Sequence, residues 1–474
     1  MLEPKLVKKL VENHCDYLKY NEALIDIFEG NLMPHVECAL KAQLSPQSYE
    51  QARHRLMPIN VLPKIIDKLT NIYQTSVIRE VVDGNTSDKE LVKWYEEKMI
   101  INPHMNCSNE LFNLCKTSLI HPYLHKGIPQ IREILNDRFV LYSDDPVQPN
   151  NPTHVILLCG KRGEIDLYWV YSATEFAIMG SDEKYYYDEM VKVGNPEGIN
   201  PFGVLPFTYV NESKYRLMPK QDTDTYRIAT ILPAMLTDLN LASMFQCFSI
   251  FFGIDIDSEN IKFAPNAMWF LKSDPATQTE PKLGTLKPEV DHAEVLNLIQ
   301  TELSMYLGTK GIRASTVGGL TPENFASGIS KIIDEMDTYE ARQKQVTYYQ
   351  QAEADMWSLI LNHMHPYWSQ TGLIENRKLF TPTAKVVTNF AVQLPMQSRG
   401  QVVKDLKEEY AAGFISRKKA MQRLNPDLTS EEIDKLIKEI DEERSSGFEE
   451  EETQETKTEV VEDKDGGEVA ENND

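Results

Sequence analysis

Thr309-Lys310-Gly311-Ile312-Arg313-Ala314-Ser315-Thr316-Val317-Gly318-Gly319-Leu320 separates two stretches of helical pattern. Upstream, apolar spacing predicts a helix over roughly Asp291 to Leu307. Downstream, Thr321-Pro322-Glu323-Asn324 offers an N-cap with proline at the first helical position, and the pattern predicts a helix to about His363. That helix carries Ile329, Ile332, Ile333, Met336, Tyr339, Val346 and Tyr349 along one stripe. Further out, residues Asp222 to Phe252 predict another helix, with a kink expected at Pro233. Between them, Gly253 to Val290 holds short apolar runs broken by Pro265, Pro275, Pro281 and Pro288. The order is helix, insert, helix, glycine loop, longer helix. Two helices returning around a compact insert make a stalk with a tip, and the glycine loop at the other end makes a finger.

The stalk has an unusual composition. Phe245, Phe248, Phe251 and Phe252 crowd the end of its first helix. A helix that is apolar on most sides is buried on most sides. A projecting stalk can meet that condition only against neighbouring subunits, so the pattern points to an oligomer.

Outside the stalk the chain changes character twice. Residues 1–135 read as mainly helical, with Ile65, Ile66, Leu69, Ile72 and Tyr73 on one face and further helices at 88–100 and 109–120. Residues 139–210 read as strands: Phe139–Tyr142, His154–Cys159, Ile165–Tyr171, Glu175–Met179, Tyr185–Met190 and Val204–Tyr209. A late strand is predicted at Ala384–Leu394, and it must find its partner far away in sequence or on another subunit. Three short helices follow, about Ser398–Ala411, Ser416–Leu424 and Thr429–Arg444. The second stops near Leu424, and the third opens on the capping box Thr429-Ser430-Glu431-Glu432. The class is therefore α+β, mainly helical.

Charge bounds the partners. The 474 residues carry a formal net charge of −23. Residues 447–474 hold twelve Asp or Glu against Lys457 and Lys464, so this segment alone supplies −10. Low apolar content and high charge make it a disordered acidic tail. An acidic chain is a poor static wrapper of nucleic acid, which needs cationic surface. It can still let a duplex slide past. The start of the chain reads as a charged amphipathic segment and not as a signal peptide, and Leu239 to Ile254 is too short to span a bilayer. Six scattered cysteines without a Cys-x-x-Cys pair read as free thiols made in the cytosol.

Catalytic signatures are missing. There is no phosphate-binding Gly-x-x-x-x-Gly-Lys-Ser/Thr loop, dinucleotide fingerprint or nucleophile elbow. His363-x-His365 and Asp255-x-Asp257 are too sparse to hold a metal, and no cofactor is expected. What remains is the glycine loop. Lys310 and Arg313 could make transient, sequence-independent phosphate contacts, Ser315 and Thr316 carry small hydroxyls, Val317 is its apolar residue, and Gly318-Gly319 would let it change shape cheaply.

Four short texts, in this order and spacing, resemble the portal protein of tailed bacteriophages. They are Ile59-Asn60-Val61 leading into Lys64–Tyr73; Gly203-Val204-Leu205-Pro206-Phe207 before the stalk; Ala326-Ser327-Gly328-Ile329-Ser330-Lys331-Ile332 after the glycine loop; and Tyr410-Ala411-Ala412-Gly413-Phe414-Ile415-Ser416 ahead of Leu424-Asn425-Pro426-Asp427. The resemblance implies a wing over 1–221 (helical over 1–135, β-rich over 136–221) and 328–394, stem helices at 222–252 and 291–310, and a clip at 253–290. It implies a tunnel loop at 311–327, a crown at 395–446 and the tail at 447–474 outside the family pattern. It further implies a ring, typically of twelve subunits, at one capsid vertex of the virion, assembled in the host cytoplasm. Implied partners are double-stranded DNA, the terminase large subunit, head-completion or adaptor and tail proteins, and the major capsid protein, with no membrane. Such a ring carries out no chemistry; the terminase hydrolyses ATP.

Removing residues 447–474 is expected to leave folding intact; a large drop in melting temperature would show that the tail packs.

Overall fold

The computed structural model describes residues 1–75, 77–213, 215–247, 250–254, 282–286, 292–312, 328–390, 399–425 and 428–455. The chain divides into a larger unit, Met1–Thr75 with Arg79–Asn389, and a smaller one, Ser76–Ile78 with Phe390–Asp474.

The larger unit opens with α1 (Pro4–Asn13), α2 (Cys15–Phe28), α3 (Met33–Gln43), α4 (Pro46–Ala52) and α5 (Leu62–Leu69). Pro4, Pro34, Pro46 and Pro63 each sit in a first turn, where a missing N–H costs nothing. The five residues expected on one helical face are all buried, Ile65, Ile66 and Leu69 on α5 and Ile72 and Tyr73 in the segment beyond its end at Leu69. Next come β1 (Val77–Val82), α6 (Thr86–Met99) and α7 (Ile101–Cys115).

The helical reading of 1–135 fails after Cys115. Lys116 turns left-handed (φ 65°) and ends α7, and β2 (Thr117–His125) begins. β2 pairs with β3 (Ile128–Ile134) through a two-residue turn, with Lys126 and Gly127 at φ 49° and 81°. Positive φ at both central residues matches the right-handed strand twist. Lysine at the first position hides this hairpin from a sequence reading that looks for Asn-Gly or Asp-Gly.

β4 (Phe139–Tyr142), β5 (His154–Arg162), β6 (Ile165–Tyr171) and β7 (Phe176–Gly180) form an antiparallel sheet in chain order, close to the four strands expected between turn signals. The strand expected at Tyr185–Met190 is instead α8 (Tyr187–Lys192). Its tyrosines favour strand, but only Met190 is buried, and Asp188 and Glu189 in the first turn with Lys192 in the last suit a helix dipole. β8 (Thr208–Asn211) begins later than predicted, after Pro206, which has no N–H to give a ladder. It pairs with β2 on the edge opposite β3. α1 and α2 cover the four-stranded sheet, with Val7, Val11 and Tyr17 against Val140, Ile156, Val170 and Met179.

The stalk follows. α9 (Thr223–Cys247) stops short of the predicted Phe252, and β9 (Ile250–Ile254) takes over. Phe251 and Phe252 therefore lie on a strand, opposite Thr285 and Gly284 of β10 (Lys282–Leu286). Ile250-Phe251-Phe252 is β-branched and aromatic, and two strands side by side satisfy its backbone as well as a helix would. The short runs Ile261–Phe263 and Met268–Leu271 lie outside the described residues. α10 (His292–Thr309) returns close to its predicted bounds. α11 (Gly328–Ser358) passes through a π-helical turn at Leu359–Met364 into α12 (His365–Gln370).

The late strand is β11 (Lys385–Phe390), and its partner is β1, some 300 residues earlier. Behind these strands lies a buried charge network. Glu353 of α11 has no solvent exposure. Arg79 of β1 grips it with two bonds, Nε–Oε2 2.6 Å and Nη2–Oε1 2.7 Å. Tyr73 Oη donates to Oε1 (2.9 Å) and Thr388 Oγ1 of β11 to Oε2 (2.8 Å). Each carboxylate oxygen thus accepts two bonds. Arg79 also reaches Glu96 of α6 (3.2 Å). A second buried link holds α12: Tyr95 Oη donates to His365 Nδ1 (2.7 Å), and His365 Nε2–H donates to the Lys378 carbonyl (2.8 Å).

In the smaller unit, α13 (Arg399–Ala411), α14 (Arg417–Leu424) and α15 (Ser430–Glu455) appear where three helices were expected. The Thr429 capping box is present: Glu432 N donates to Thr429 Oγ1 (3.3 Å) and Thr429 N to Glu432 Oε2 (2.8 Å). α15 runs past its expected end near Arg444, so residues 447–455 are helical; Glu449 to Glu452 are good helix formers. The tail beyond Glu455 lies outside the described residues.

Glu353→Ala is expected to cost about 3–5 kcal/mol, because it leaves Arg79 buried with only Glu96 to pair it. Urea titration checks this, and an unchanged midpoint would show the network to be incidental. Burial holds His365 below the usual histidine range, and burial with the Arg132 charge holds His121 well below it. The unfolded chain binds those protons near pH 6.5 and the native one only at lower pH, so stability falls as pH drops through about 6.5. His365→Gln should show a shallower fall between pH 7 and about 5.5 than the parent; an equally steep profile would rule His365 out as a contributor.

Candidate functional site

The described part of the glycine stretch, Thr309 to Ile312, lies at the root of the stalk. α10 ends in a left-handed cap: Gly311 has φ 71°, and Ile312 N donates to the Leu307 carbonyl five residues back (2.9 Å). This is a Schellman closure, and Gly311 supplies the conformation it needs. Ile312 then buries against Ile65, Leu69, Leu303 and Leu307. The first four residues of the quoted stretch are therefore a helix end and its cap. Arg313, Ser315, Thr316, Val317, Gly318 and Gly319 lie outside the described residues.

Lys310 is described, and it has a partner. Its ammonium bonds the carboxylate of Asp222, the residue that opens α9. Lys116, in the left-handed joint between α7 and β2, lies 3.6 Å from the same oxygen. The Asp222 side chain is 11% exposed and that of Lys310 19%, so this is an interior pairing. Burial pushes the Asp222 carboxyl up, but Lys310 and Lys116 outweigh it and hold it below the usual carboxylate range. Around this link, Tyr20 Oη donates to the Asp222 carbonyl. Thr225 of α9 and Tyr306 of α10 share a hydroxyl bond (2.9 Å), and Thr309 Oγ1 donates to the Tyr306 carbonyl (2.6 Å). The start of α9 is thereby fastened to the end of α10, which makes the stalk antiparallel.

No protein-family model matches the sequence, and no curated protein is similar to it. Solved structures similar to this chain include two from gene transfer agent particles. One is a chain of the virion of a native gene transfer agent particle, at 10% identity and TM-score 0.44, covering 82% of this chain and 98% of that one. The other is a chain of the neck of an empty particle computed with C6 symmetry, at 11% identity and TM-score 0.43, covering 78% and 90%.

Beside the loop root is a cleft of about 210 Å³ whose lining includes Asn113, Lys116, Glu212, Lys310, Lys344 and Gln345. Lys344 of α11 pairs with Glu212 (3.3 Å). Three lysines thus face two carboxylates, Glu212 and Asp222, leaving one positive charge in excess. A larger cleft, about 970 Å³, lies between β8, β11 and α11; Asp355 is the one charged residue among its described lining.

Neither cleft assembles a nucleophile with a base. His365, half of the His-x-His pair, is committed to Tyr95 and Lys378. Asp255 and Asp257 lie outside the described residues. Among the described residues no three His, Cys, Asp or Glu side chains converge as a metal site would require, and no helix is long and apolar enough to cross a membrane. Five cysteines, Cys15, Cys38, Cys107, Cys115 and Cys159, are free thiols.

Sequence reasoning singled out Lys310 and missed Asp222 and Lys116. The residues that meet here are about 90 and 195 positions from Lys310, and a charge pair at such separation leaves no periodic trace. The only available signal was the acidic residue at the predicted start of the first stalk helix.

Proposed function

We propose that this chain is the subunit of a portal ring: a structural element at one capsid vertex through which double-stranded DNA is packaged and later leaves. The observation that carries the reading is the stalk. α9 has 25 residues, about 37 Å at 1.5 Å per residue, and returns through β9 and β10 to α10. Its packing is one-sided. Ile299, Leu303, Tyr306 and Leu307 are buried on α10, whereas Leu296 and Leu298 are exposed and Met305 is 69% exposed. On α9, Ile228, Ile231, Met235, Leu236, Leu239 and Leu241 are only half-buried. Apolar residues on both faces of a two-helix stalk need further helices against them, and copies arranged in a ring supply these without leaving an end uncovered.

The charge suits the role. A net −23 repels phosphates and keeps a moving duplex from sticking, while a few cations can touch it locally. In this reading residues 253–290 form the clip that docks the terminase large subunit and then adaptor and tail proteins. Residues 311–327 face the duplex, with Arg313, Ser315, Thr316, Val317, Gly318 and Gly319 as its contacts. The flanking regions are wing and crown, and the ring sits in a shell built from the major capsid protein. The ring, of the twelve subunits typical of such rings in the virion, assembles in the host cytoplasm and carries out no reaction of its own.

Electron microscopy of the purified protein tests this: rings with a central hole are expected, and a protein that stays monomeric at every ionic strength would refute the reading. Deleting Ser315–Gly319 should leave rings intact and impair packaging or DNA retention; loss of the rings themselves would make the loop a structural element.

A further inference from the structure

We infer that Asp222 is a positioning residue that holds Lys310 in reserve, cancelling its charge and keeping it off a passing duplex. The inference rests on the reading of the segment after Ile312 as facing DNA, and it deepens that reading by taking Lys310 out of the contacts that segment makes.

Position comes first. Lys310 is the last residue before the Gly311 cap, so its backbone is fixed by the helix end and by the buried Ile312. Its side chain lies along the Tyr306 ring, 5.7 Å from the centroid, and ends on Asp222. Tyr306 is tied to Thr225, three residues beyond Asp222, so both ends of the ion pair hang on the same junction. Asp222 is held in turn by Tyr20 through its carbonyl.

Charge comes second. Asp222 serves Lys310 and Lys116 together, and both lysines line the small cleft at the loop root. With the carboxylate in place they present one net charge instead of two. Without it, two ammonium groups would share a half-buried site, and repulsion would drive them apart. Lys310 is the one next to the loop. A conduit that must not grip its cargo gains from such masking, because each exposed cation adds a phosphate contact and with it friction.

The test reads phosphate contacts directly, using the full-length protein and a short random-sequence duplex, with the logarithm of the binding constant plotted against that of salt concentration. Each phosphate neutralised adds about 0.9 to the slope. Lys310→Met should leave the slope as it is, since a side chain held on Asp222 makes no phosphate contact in the parent; a slope shallower by about 0.9 would show that Lys310 touches phosphate in the parent and would overturn the inference. Asp222→Asn should steepen the slope by about 0.9 to 1.8, for one or two freed lysines. Asp222→Glu should behave as the parent, and Asp222→Asn with Lys310→Met should return about 0.9 of the increment, the share of one lysine. A merely structural role for Asp222 would lower the melting temperature and leave the slope alone.

Amine acetylation followed by mass spectrometry provides a readout independent of DNA. Lys310 should be several-fold more reactive in Asp222→Asn than in the parent, and equal reactivity would overturn the clamp. Should the protein form no rings, the portal reading fails while this labelling still decides whether Asp222 holds Lys310.

Discussion

One buried carboxylate ties the larger unit together. Glu353 lies inside α11, and every bond it accepts comes from another element: Arg79 from β1, Thr388 from β11, Tyr73 from the segment after α5. A charge without exposure is tolerable only when its oxygens are fully engaged, and here each accepts two bonds. Replacing such a pair by apolar residues often costs little, so its value lies less in raw stability than in register. A two-stranded sheet of six-residue strands could slip, but Arg79 and Thr388 must both reach the same carboxylate. That requirement sets where β1 and β11 lie against α11.

The same helix extends the constraint toward the loop. Lys344 and Gln345 of α11 line the cleft at the stalk root, beside Lys310 and Lys116. Gln345 joins the amide chain Asn109–Gln345–Asn113, and Tyr349 meets Ser108. α11 is therefore anchored to β1 and β11 near Glu353 and to α7 near Gln345. The root of the stalk, with its Gly311 cap and Asp222 clamp, is set on a rigid base.

Much of this was legible before any coordinates. Apolar runs bounded by turn signals marked β4 to β7, apolar spacing marked α5 and α10, and the Thr429 box marked the start of α15. What failed did so for identifiable reasons. Lys126-Gly127 closes a hairpin without the usual Asn or Asp. Three consecutive tyrosines imitate a strand where Asp188, Glu189 and Lys192 favour a helical turn. Ile250-Phe251-Phe252 satisfies the apolar pattern of a helix and of a strand alike, and the neighbouring strand decides between them. In the candidate site, Gly311 looked like part of a flexible loop, yet it is the residue that closes α10.

By itself, the amino-acid sequence determined the order of helix, insert, helix and glycine loop, the acidic balance and the apolar stalk that calls for neighbours. Those are local properties, set by composition and by periods of two or 3.6 residues. Tertiary structure alone decided the partners: β1 for β11, Arg79 for Glu353, Asp222 for Lys310. Each pair is separated by about 90 to 300 residues, and a lone charge or a lone strand carries no mark of what it will meet. Only the folded chain brings the two together, and there the cost of an unpaired buried group selects the match.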